Sequence, residues 1–246
     1  MTLAQAGMST APPLARREPP VTQTVDIPVN DTFLQAKLVI PSGAHGLVLS
    51  MVADEGDRGI ARNAVLARQL EASRLATLSF ELRPLGGAEL NARSGAVSCD
   101  LSLMTGRLLQ VTRWAKSDVR TRGLGMGYLG TGRGTAASLV AAAQLGYAVQ
   151  AVVSYGGQPR GPLNLLAQVT APTLLIVGEW DTSLLHTNRQ ACDQLSCRKE
   201  LAIVPRAGHA FAEIGALSHV AVLAADWFRE YLNPIPVDES DVQHRR

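Results

Sequence analysis

Residues 123–146, GLGMGYLGTGRGTAASLVAAAQLG, constrain the fold of this chain more than any other stretch. An apolar run leads into a cramped glycine turn, and an alanine-rich segment of helical character follows at once. Strand, tight turn and helix in immediate succession are the unit of a layered α/β architecture.

The flanking segments extend the same alternation. Val21–Val29 and Phe33–Ile40 are expected as two strands joined at Asn30-Asp31, an antiparallel entry hairpin. Residues 46–53 are nearly continuous in apolar side chains, as a strand buried on both faces should be. A helix is predicted over 60–73, with Val65, Leu66 and Leu70 on one stripe, and a strand over 75–82. Residues 84–99 are rich in glycine and small side chains and read as irregular. Asp100 is placed to cap a helix carrying Leu101, Met104, Leu108 and Val111 on its apolar face.

Beyond the central unit, strands are predicted over 149–154, 173–177 and 201–204, and helices over 163–169, 182–195 and 216–232. Strands alternating with helices of this length imply right-handed crossovers and a three-layer α/β/α sandwich around a mostly parallel sheet. The expected organisation is a flexible leader (1–20), one domain (21–232) and a flexible tail (233–246).

Composition narrows the function classes. The formal charge is +2, from 23 basic and 21 acidic residues, with no aromatic-basic interleaving, so nucleic acid is not an expected partner. Apolar runs such as 139–143 and 174–177 are too short to span a membrane, and the first 20 residues lack the apolar stretch of a signal sequence. Three cysteines, Cys99, Cys192 and Cys197, form no C-x-x-C pair and argue against a disulfide framework or zinc site. A cytoplasmic protein with reduced thiols, without cofactor or metal, is the expectation.

Two phosphate-binding patterns are decoys. Gly125, Gly127 and Gly130 match G-x-G-x-x-G but fall inside the predicted strand, and residue 150 is Gln rather than acidic. Residues 127–135 lack the lysine of a P-loop.

Residues 46–232 taken together resemble the α/β-hydrolase superfamily, in particular its dienelactone-hydrolase-like branch. The strand–turn–helix at 123–146 sits where that superfamily carries its G-x-S-x-G nucleophile elbow. Gly178-Glu-Trp-Asp181 and Pro205-Arg-Ala-Gly-His209, each just after a strand, look like the loops that supply the acid and the histidine. Elbow, acid and histidine follow in the superfamily's order. Arg113-Trp114 and Ala225-Asp-Trp-Phe228 support the likeness.

Two departures stand against these matches. The elbow reads Gly130-Thr131-Gly132-Arg133-Gly134, so Gly132 occupies the nucleophile's position and no hydroxyl projects there. Where the family usually has His-Gly after the strand ending near Val52, this chain has Ala53-Asp54-Glu55-Gly56-Asp57. The resemblance therefore implies a residual Asp181–His209 dyad beside a degenerate nucleophile position.

The backbone N–H groups of Arg133 and Ala53 are the remaining candidates for an oxyanion hole. The carboxylates of Asp54 and Glu55 would oppose negative charge there by on the order of 1–4 kcal/mol at a few ångströms. Arg133, at the predicted start of a helix, could hold a small anion or carboxylate. The competing expectation is an ion pair with Asp54, Glu55 or Asp57. Thr131 and Thr135 are not expected to replace the missing serine, and His45, His186 and His219 are expected at or near the surface.

The leading expectation is a pseudo-hydrolase that binds a small ligand in a vestigial pocket, or a protein partner or second copy. The alternative is a hydrolase of small esters or lactones in which Asp181 and His209 activate water. A third is proton abstraction by His209.

Overall fold

Hydrophobic alternation and apolar runs translate into eight strands and six helices among the described residues, which in this computed structural model are 19–30, 32–52, 56–81, 101–160 and 163–235. The expectations placed on residues 1–18, Ala53, Asp54, Glu55, 84–99 (with Cys99), Asp100 and 236–246 lie outside them. β1 (Val21–Val29) and β2 (Thr32–Ile40) form the antiparallel hairpin, in the register Val21 to Ile40 through Val29 to Thr32. Asn30, at φ +51°, starts its turn, a conformation that asparagine tolerates better than most residues.

β3 (Gly46–Val52), α1 (Gly56–Ala72), β4 (Leu75–Glu81), α2 (Leu101–Ser117), β5 (Gly125–Thr131) and α3 (Gly134–Leu145) follow. β6 (Ala151–Tyr155), α4 (Leu163–Leu166), β7 (Thr173–Gly178), α5 (Thr182–Gln194), β8 (Lys199–Val204) and α6 (Ala216–Tyr231) complete the order. The sheet runs β1-β2-β4-β3-β5-β6-β7-β8, antiparallel across β1, β2 and β4 and parallel from β4 to β8. The expected three-layer sandwich is the observed one.

Each face of the sheet has its own core. Leu66 and Leu70 of α1 join Val220, Ala224 and Phe228 of α6 on one side, and Met104, Leu108 and Val111 of α2 join Leu139 and Ala141 of α3 on the other. The central strands β5, β6 and β7 are buried throughout, which explains their unbroken apolar character. Close approach shapes β5: a Cβ on Gly127 would lie 2.6 Å from the ring of the fully buried Phe228, so glycine lets α6 settle onto the strand.

Several boundaries differ from the sequence expectation, and β8 starts at Lys199 rather than 201. α1 starts at Gly56 rather than 60, because its first turn carries none of the apolar stripe. β6 starts at Ala151 rather than 149, since Gly146–Ala148 form a 3-10 turn that carries the chain out of α3. α4 stops at Leu166, a single helical turn.

Strand order reverses at β3, with β4 on one side and β5 on the other. In open α/β sheets the crevice beyond the carboxyl ends of strands at such a reversal is the usual ligand site. The loops after β5, β7 and β8 all emerge at that edge.

Candidate functional site

Gly132 stands at the apex of the turn between β5 and α3 with φ +52°. That left-handed backbone is what a sharp strand-to-helix turn demands of its tip residue, and glycine adopts it without steric penalty. Its carbonyl accepts from Gln158 N at 3.0 Å, tying the turn to the loop after β6. Arg133 follows as the N-cap of α3 in helical conformation.

α3 itself packs closely because its residues are small: Gly134 through Ala142 are all buried. Thr135 directs its hydroxyl to Ser154 Oγ at 2.8 Å, and Thr131 is buried at the end of β5. Neither threonine hydrogen-bonds the imidazole of His209.

Asp181 and His209 meet. His209 Nδ1 lies 2.7 Å from Asp181 Oδ2, although 28 residues separate them. The two loops are laced together backbone to backbone. Trp180 N donates to Ala207 O at 2.9 Å, and a Cβ on Gly178 would lie 2.4 Å from the same carbonyl. Asp181 serves twice, because its Oδ1 also accepts from Leu184 N at 3.2 Å and caps α5. The cap fixes the carboxylate, and the carboxylate orients the imidazole.

Residues that the sequence reading passed over support this geometry. Glu179 Oε2 accepts from Arg206 N at 2.7 Å, and Glu213 Oε1 accepts from Gly208 N at 3.0 Å, so two carboxylates brace the histidine loop. Phe211, buried at φ +50°, packs its ring against Tyr155 with centroids 6.2 Å apart. Glu179, inside the quoted Gly178–Asp181 motif, and Glu213, four residues past His209, were the available signal.

The side chain of His209 is 63% exposed and that of Asp181 16%. A neutral ring that donates Nδ1–H to the carboxylate presents Nε2 as an acceptor, the tautomer a general base needs. Among the described residues no hydroxyl or thiol hydrogen-bonds this imidazole. Cys192 and Cys197 are half-buried free thiols, and burial pushes the pKa of both up, away from thiolate character. His45 is half-buried, while His186 and His219 are exposed.

No cluster of His, Cys, Asp or Glu that could hold a metal occurs among the described residues, and none of their helices is long and apolar enough to cross a membrane.

Sheet order, crossover helices and the two loops beyond β7 and β8 define an α/β-hydrolase-fold protein. The pattern of the dienelactone hydrolase family matches residues 97–233. A crystal structure of dienelactone hydrolase from Anabaena variabilis is 40% identical, with TM-score 0.82, over 88% of this chain and 100% of that one. The esterase domain of a Rhodothermus marinus protein, 16% identical with TM-score 0.66 over 86% and 99%, shares the fold. A Mycobacterium tuberculosis protein, provisionally named a phosphoribosyl transferase, is 36% identical over 219 residues, 89% of this chain and 48% of its own length. The chain thus spans about half the length of that relative. This chain belongs to the dienelactone hydrolase family.

Proposed function

We propose that this family member has lost the serine chemistry of its fold and acts by binding. One observation carries the reading: the apex of the turn is a glycine in the left-handed region, so among the described residues no hydroxyl hydrogen-bonds the oriented imidazole. A serine at such an apex would be strained by about 1–3 kcal/mol. Once the hydroxyl is no longer used, glycine relieves that strain.

A fluorophosphonate probe tests the reading, since it modifies only an activated serine. The expected result is no labelling of the wild-type chain. Gly132→Ser is expected to stay unlabelled as well, because the residues that replace the family's His-Gly pair include Asp54 and Glu55, unfavourable to a developing oxyanion. Labelling of wild type at any serine would overturn the proposal. Labelling of Gly132→Ser alone would confine the divergence to one residue.

The preserved 2.7 Å contact between His209 and Asp181 favours a second reading, hydrolysis of small esters or lactones by a water that His209 activates. Turnover of p-nitrophenyl acetate above the buffer rate, abolished in His209→Ala, would establish it over binding alone.

The provisional name of the Mycobacterium tuberculosis relative belongs to a chain of which this one matches 48%. The matched half has a hydrolase fold, which supports assigning phosphoribosyl transfer to the other half and a companion role to this one. Dividing that relative between its halves should leave transfer activity only in the part that this chain does not match. Activity in the matched part would refute the division of labour.

A further inference from the structure

A second concavity lies away from His209, on the sheet face that α1 only partly covers. Leu34, Ala36 and Leu38 of β2 turn toward the α2–α3 core, which leaves Phe33, Gln35 and Lys37 on the opposite face. α1 sits over β3 and β4 and stops short of the hairpin. The cleft left between α1 and the hairpin has a volume of about 940 Å³, within the range of small-molecule sites.

Its walls combine unlike chemistry. Phe33 is 68% exposed and Ile60 36%, and both apolar side chains line the cleft. Lys37 stands on the sheet floor between Thr24 of β1 and Ser79 of β4, its cross-strand neighbours. Its ammonium makes no hydrogen bond or ion pair with another described residue. Glu71, by contrast, already accepts from Thr77 Oγ1 at 2.8 Å, and Glu81 has a partner of its own.

At the inner wall stands Asn63, 4% exposed. Its Oδ1 accepts from Tyr155 at 2.6 Å, while its Nδ2 is buried without an acceptor. A buried donor left without an acceptor is destabilising. A ligand oxygen at the inner end of the cleft would recover that loss.

We infer that this cleft binds a small amphipathic carboxylate, its apolar body between Phe33 and Ile60 and its oxygens near Lys37 and Asn63. The site is independent of His209 and of the reading given above for it. Lys37 and Arg68 are balanced in formal charge by Glu71 and Glu81, so the preference for an anionic head rests on Lys37, the cation whose ammonium has no partner among the described residues.

The test is a titration of the full, isotope-labelled chain with 4-phenylbutyrate, followed by amide resonances. Saturable shifts are expected around Phe33, Lys37, Ile60 and Asn63. 4-Phenylbutylamine should bind about threefold to tenfold more weakly, as should 4-phenylbutyrate to Lys37→Glu, the scale of reversing one exposed charge contact. Lys37→Glu is a surface change whose unfolding midpoint should match wild type, so a lost interaction is not lost folding. His209→Ala should bind the carboxylate as wild type does. Shifts centred on Trp180 and His209, equal affinity for the amine, indifference to Lys37→Glu, or no saturation up to the solubility limit would each overturn the site.

Discussion

At the scale of single residues, the proposed loss of serine chemistry rests on the side chain absent at Gly132, and Asp181 preserves the frame. Gly132 keeps the turn at φ +52°, and Asp181 keeps the imidazole oriented while capping α5. The two have different exposure to selection on stability. Asp181 is held by its cap whether or not catalysis continues, so a surviving dyad is weak evidence for activity. The apex can be tested directly. Gly132→Ala is expected to lower stability by about 1–3 kcal/mol, because alanine is strained in the left-handed region. Urea unfolding would show a reduced midpoint with an unchanged slope. No loss would mean that the turn relaxes to another conformation and exerts no demand on its tip.

At the scale of elements, legibility in the sequence follows burial. The hairpin shows clean alternation because one face of it packs on α2 and the other does not, and its strands lie within a residue of the expected bounds. β5, β6 and β7 show apolar runs because both faces are covered. α3 carries no stripe to read, being buried almost all round, and was recognisable only by its alanines and the glycines before it. Asp181 and His209 were legible through the resemblance to the α/β-hydrolase superfamily, each standing a few residues past a strand. Asn63 was not. It lies three residues before Leu66 and seven before Leu70, on the buried stripe of α1, where the same spacing suits a core residue or a polar group with a buried partner. Its partner Tyr155 is 92 residues away, a contact that no local pattern encodes. Strand order belongs to the same class, since parallel runs of similar composition do not announce which neighbour they join.

At the scale of the whole molecule, Tyr155 links two regions that the chain keeps far apart. Its hydroxyl reaches Asn63 at the wall of the cleft beside α1, and its ring meets Phe211, two residues from His209. The side chain is 1% exposed and packs in the core shared by α1 and α6. Tyr155→Phe retains the ring but removes the donor to Asn63 Oδ1, leaving that oxygen without its partner beside an Nδ2 that already has none. A stability loss of about 1–3 kcal/mol is expected from the stranded oxygen, read as a lowered urea midpoint. The imidazole–carboxylate contact should survive, since Phe211 still has a ring to rest on, and the His209 ring resonances would stay at their wild-type positions. Movement of those resonances in Tyr155→Phe, with folding intact, would mean that the hydroxyl's contact at α1 governs the loop at the far end of the sheet, and the two regions would have to be treated as one coupled unit.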